Sequence, residues 1–101
     1  MTTLLIERDV FAVDVSFSED AMSVSLDDGR ILSVPLAWYP RLLCGTTEER
    51  ECFELIGDGE GIYWPDLDED ISVEGLLAGR RSSESSRSLS RWKERRAAAG
   101  I

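Results

Sequence analysis

The sequence predicts an α+β domain: a small antiparallel β-meander with short helices packed on it and a basic C-terminal helical tail. Three observations predict it. Apolar residues alternate with polar ones in three successive segments, the period of a half-buried strand. Helix start and stop signals follow rather than interleave, which places the helices after the meander. The charge then changes sign near residue 80: residues 1–79 carry 18 acidic and four basic side chains, residues 80–101 two acidic and seven basic. That step divides the chain into an acidic α+β domain, 1–79, and a Ser/Arg-rich linker with a short amphipathic helix, 80–101.

The first predicted strand is carried by Phe11, Val13, Val15 and Phe17, the second by Met22, Val24 and Leu26, the third by Leu32, Val34 and Leu36. A loop over 18–21 pairs Phe17 with Met22, Val15 with Val24 and Val13 with Leu26, all apolar. For the second turn, a two-residue Asp28-Gly29 loop sets Val24 opposite Ser33. A three-residue loop with Gly29 in a bulge sets Val24 opposite Leu32 and Met22 opposite Val34, and is preferred because register follows the buried face. Residues 36–43 read as a brief helical turn, with Pro40 confined to its first turn. Thr46 and Glu49 form a capping box that opens a helix to about Cys52 or Phe53. Gly57, Gly59 and Gly61 mark a turn between two short strands. Ile71, Val73, Leu76 and Leu77 supply a helix stripe closed by Gly79. A last helix over 89–99 is too short and too weakly apolar to stand alone, and is expected to order only on docking.

Composition narrows the function. The 101 residues include no His and only two Cys, Cys44 and Cys52, with a net charge of −9. Without His, Ser-His and Cys-His nucleophiles and most zinc sites drop out. No apolar run approaches the ~20 residues of a membrane span. Met1 to Val10 makes a poor secretory signal, so a cytoplasmic protein with reduced thiols is expected. Asp66, Asp68 and Asp70 have calcium-loop spacing, but Ile71 stands where that loop needs Gly and Leu77 where it needs Glu. The acids read instead as a solvated loop. The 20 carboxylates make chance pairs common, and no catalytic constellation emerges. The expectation is therefore a non-enzyme without metal or cofactor.

Binding candidates fall into two sets. Trp38, Tyr39 and Trp64, the acidic residues Asp66, Asp68, Glu69 and Asp70, and the tail's Leu89 and Trp92 are the candidate protein-binding residues. Arg80, Arg81, Arg87, Arg91, Lys93, Arg95 and Arg96 are the candidate phosphate contacts of a rival reading, a DNA-associated regulator. An adaptor subunit of a larger assembly is a further rival, and a homodimer stays open.

Several segments together carry a family resemblance. They are 26–30 (LDDGR), 34–42 (VPLAWYPRL), 46–50 (TTEER), 63–71 (YWPDLDEDI), 75–79 (GLLAG) and the Ser-rich tail with Leu89 to Trp92. In order and spacing the chain resembles the bacterial domain-of-unknown-function family 2442 (DUF2442). The resemblance implies a small α+β fold with an antiparallel sheet. Family members are often encoded beside small toxin-like proteins related to the RelE messenger-cleaving type, which implies an antitoxin role with a small basic protein as partner. Some relatives add a DNA-binding helix-turn-helix, for which the segment after residue 79 is too short. The resemblance brings no catalytic residues.

Overall fold

The computed structural model describes residues 9–100. Most of the segment tested as a secretory signal, residues 1–8, lies outside this range, as does Ile101. Strands β1 (Ala12–Phe17), β2 (Ala21–Leu26) and β3 (Ile31–Pro35) form one three-stranded antiparallel sheet in sequential order. A 3-10 turn (Leu36–Trp38) leads to α1 (Pro40–Leu43) and α2 (Thr47–Glu51). Strands β4 (Glu54–Ile56), β5 (Gly61–Trp64) and β6 (Glu69–Ser72) form a second antiparallel sheet, again in sequential order. Helices α3 (Val73–Leu77) and α4 (Ser86–Ala98) complete the α+β fold.

In the first sheet, Met22 faces Phe17 and Val34, and Val24 faces Val15 and Leu32, as the alternation requires. The second turn is the three-residue loop: the Leu26 amide donates to the Arg30 carbonyl across it, and Gly29 takes a φ of +96°. Helix α2 carries the full capping box, with the Thr46 hydroxyl accepting from the Glu49 amide and the Glu49 carboxylate from the Thr46 amide. Pro40 sits in the first turn of α1, where its missing N–H costs nothing.

Two expectations are corrected. Val13 does not pair with Leu26: a bulge between Ala12 and Asp14 sets Ala12 opposite Leu26, and Val13 is left 55% exposed. The cause is the turn between β4 and β5, whose Gly59 packs its backbone onto Ala12. A Cβ on Gly59 would stand 2.3 Å from the Ala12 carbonyl oxygen, so only glycine lets the turn press on the strand backbone where it bulges. Ile71 lies in strand β6 opposite Ile62, not on a helix stripe, and the helix begins two residues later. Ser72 caps α3, its hydroxyl accepting from the Gly75 amide, and Leu77 at the far end is 41% exposed.

One core joins the two sheets and the tail. Met22 and Val24 of the first sheet, Ile62 and Trp64 of the second, Leu67, and Trp92 of α4 belong to the same buried cluster. Trp64 is fully buried, donates its indole N–H to the Arg50 carbonyl at 2.9 Å, and lies edge-on to Phe17. Among the described residues, no helix is long and apolar enough to cross a membrane.

Candidate functional site, an acidic groove beside strand β6

The second sheet runs from Trp64 into a tight turn that projects the acidic residues. Leu67 is fully buried and pins this turn to the core. Its amide donates to the Trp64 carbonyl, and its own carbonyl accepts the Trp92 indole N–H at 3.1 Å. Asp68 takes a φ of +52°, a left-handed position that Asp tolerates better than most residues. With Leu67 turned inward, Asp66 and Asp68 are left exposed, and Asp70 follows in the same state on β6.

Arg41 organises the space beside that turn. Held on α1 and mostly buried, it donates its Nε to both oxygens of Glu84 at 2.8 and 3.0 Å. Its Nη1 reaches the Asp68 carbonyl at 2.9 Å, and its guanidinium stands 5.3 Å from the centre of the Trp92 ring. Glu84 also accepts from the Ser88 hydroxyl at 2.7 Å. These contacts hold the Glu84 carboxyl below its ordinary pKa, the Arg41 hydrogen bonds being the largest cause. Tyr39 lies beneath, donating its hydroxyl to the Arg80 carbonyl at 2.7 Å, while the Ser82 amide donates to the Trp38 carbonyl. The run 80–85 is thereby fixed as an irregular wall facing β6. Between the two walls lies an open groove of about 720 Å³, with Asp68, Glu69 and Asp70 on the β6 side and Arg80, Arg81 and the Arg41-paired Glu84 on the other.

Glu69 is half-buried in this groove. Burial pushes its pKa up to about 7, against the pull of Arg41, and the carboxylates of Glu84, Asp70 and Asp68 add to the rise. The Tyr39 hydroxyl is raised as well, by burial first and by Glu69 second. The folded state therefore holds the Glu69 proton more tightly than the unfolded chain. Its contribution favours folding most below about pH 4.5, weakens as pH rises through that window, and levels off above about 7. Glu69→Gln is expected to remove this slope. The variant should gain on the order of 1–2 kcal/mol over the native chain at pH 8 and nearly nothing at pH 4.5, the full linkage value being reduced for partial exposure. Urea midpoints at the two pH values check this.

The candidate residues separate into distinct environments. Tyr39, Trp64 and Trp92 are inside the chain's own core and offer no surface to a partner. Aromatic rings beside turns are as readily core anchors as contact residues, and these three fill core volume while satisfying their polar atoms internally. Trp38 is half-buried with Arg81 stacked 4.6 Å over its ring, and Leu89 is half-buried against the core. The tail is ordered by docking on the chain itself, not only on a partner. Arg96 pairs with Glu49 at 2.8 Å and lies over the Trp92 ring at 4.6 Å. Arg80, Arg87, Arg91, Lys93 and Arg95 remain exposed, Arg80 at the groove and the others on α4. Sequence reasoning did not single out Arg41 or Glu84, because a pairing between residues so far apart leaves no local signature. Among the described residues, no group of three or more His, Cys, Asp or Glu side chains is placed to hold a metal ion. Cys44 and Cys52 are both free and exposed.

Two solved structures share the fold. A protein of unknown function from Rhodospirillum rubrum, known from a crystal structure, aligns with a TM-score of 0.66 at 24% identity, over 76% of this chain and 95% of that one. An uncharacterized protein from Chromobacterium violaceum, known from a solution NMR structure, aligns with a TM-score of 0.62 at 26% identity, over 80% of this chain and 74% of that one. Among curated proteins none matches. The family profile described as a protein of unknown function (DUF2442) covers residues 12–82, from the first residue of β1 to the wall of the acidic groove, and the chain belongs to that family.

Proposed function

We propose that this chain is a non-enzymatic protein-binding module of the antitoxin kind, acting in the cytoplasm on a small basic RNase of the RelE type. The acidic groove and its rim occupy the toxin's basic active-site cleft, where RNA phosphates would otherwise lie. The observation that carries this reading is the turn and strand start at 66–70, which hold Asp66, Asp68 and Asp70 exposed around the half-buried Glu69. Carboxylates focused on a rigid rim speed encounter with a cationic surface and reject acidic ones.

Capture on the tagged protein from its native host, washed at moderate salt, is expected to return one small basic protein in equal amount. With that partner purified, Asp68→Lys combined with Asp70→Lys should slow association on the order of tenfold at low ionic strength and flatten its salt dependence. Stopped-flow mixing at several salt concentrations reads both effects, and unchanged kinetics would remove the acidic rim from the interface.

A second reading has its own observation. Arg87, Arg91 and Arg95 recur every fourth residue on α4 and are all exposed, a stripe able to meet nucleic-acid phosphates. Recovery of host DNA with no protein in the same capture would favour that stripe over the acidic groove. Recovery of a large complex would favour an adaptor role.

A further inference from the structure

Among the described residues strand β6 is an edge of its sheet, and its outer side opens on the groove. The Val73 amide donates to the Glu60 carbonyl at 2.9 Å, and the β5–β6 register continues from that pair. In an antiparallel ladder, bonded and non-bonded pairs alternate. Ile71 with Ile62 and Glu69 with Trp64 are therefore the bonded pairs within the sheet. The N–H and C=O of Asp70 and the N–H of Ser72 point away from β5, and none of the three has a hydrogen-bond partner among the described residues.

We propose that this edge accepts an extended basic segment of a partner protein as an additional strand. The inference rests on the acidic-groove reading above and adds its geometry. A partner residue opposite Asp70 would exchange two backbone hydrogen bonds with it, and the residue two positions away would accept from Ser72. Alternate side chains of the incoming strand would then lie beside Asp68 and Asp70, where opposite charges pair favourably across strands. The groove between β6 and the run 80–85, about 720 Å³, gives a short strand room; Arg80 and Arg81 line its far wall, so the complementary charge is that of Asp68 and Asp70 on the β6 side. The same carboxylates disfavour a second copy of this chain, because β6 against β6 would bring Asp70 and Glu69 close to their own counterparts. Charge is the means by which the exposed edge stays open to a cationic strand and closed to itself.

The test uses the full chain, labelled with ¹⁵N, and a blocked heptapeptide alternating Arg with Val, with a twin carrying Glu in place of Arg. The basic peptide is expected to shift the Asp70 and Ser72 amides and to slow their hydrogen exchange, and the acidic twin to do neither. Methylating the peptide amides that face the edge should weaken binding about fivefold per lost bond, while methylating the alternate amides should not. Asp70→Pro, which removes an outward N–H that an edge strand can lose, should weaken binding more than Asp70→Asn, which removes only the charge. Binding of the basic peptide without protection at Asp70 and Ser72 would overturn strand addition and leave the acidic rim standing. No binding at millimolar peptide and low salt would also overturn it, and the wider reading would then rest on the partner capture. Preference for the acidic twin would sink both.

Discussion

Trp92→Ala is expected to release α4 from the body. The helix buries one residue, Trp92, with Leu89 half-buried beside it. Removing a buried Trp costs roughly 3–5 kcal/mol where the structure stays closed around the cavity. The other ties of α4, Leu89 against the core, Ser88 with Glu84 and Arg96 with Glu49, are each smaller than the Trp92 contact. The mostly buried Arg96–Glu49 pair loses the Trp92 ring beneath it and is opened to water, which weakens it. A detached 13-residue helix without a packing face is marginal in water. The variant should therefore lose the far-ultraviolet signal of one helix and become sensitive to trypsin at Arg87 and Arg91, while the two sheets still unfold cooperatively. Retained helicity with a lowered melting point would show instead that the helix is held by contacts other than Trp92.

Gly59→Ala is the second large effect. Gly59 has a φ of +104°, and an added Cβ would stand 2.3 Å from the Ala12 carbonyl and 3.0 Å from its amide nitrogen. Both are backbone atoms, so no side-chain rotation relieves the overlap. Strain at such a position reaches about 3 kcal/mol, and separating the turn from β1 adds to it. At about 4–8 °C per kcal/mol for a domain of this size, the melting point should fall by roughly 12–24 °C. Gly29→Ala is the control: its φ of +96° is similar, but nothing lies within 4 Å of the added carbon, so only the conformational cost remains. Equal losses at the two positions would mean that the contact with Ala12 carries no weight.

The register of the first sheet was legible because Met22, Val24 and Leu26 have one face to bury and a one-residue slip would expose all three. The Thr46–Glu49 cap was legible because its partners are three residues apart. What escaped was set by distant chain. The bulge at Val13 answers to Gly59, and nothing near Val13 records it. Strand β6 begins with two acidic residues, a composition strands avoid, and it survives as an edge because Ile71 alone anchors it while Asp70 faces solvent. The acidic rim itself was visible as a run of carboxylates, but the groove behind it depends on Arg41 meeting Glu84 across the fold. Trp92 illustrates the same limit from the other side: an amphipathic tail reads identically whether its anchor serves a partner or its own body.

Both sheets are simple meanders, each strand pairing with the next along the chain. Among the described residues every strand pairing therefore closes a short loop, and none waits for a distant segment. During synthesis at about 5–20 residues per second, the first meander can be complete once residue 35 has cleared the ribosome, before the second exists. The second can follow in the same way. Contacts such as Gly59 on Ala12, Glu84 with Arg41 and Trp92 under Leu67 then join later segments to partners laid down earlier. The nascent chain thus spends little time with unpaired inner strands, which limits its exposure to wrong pairing during synthesis.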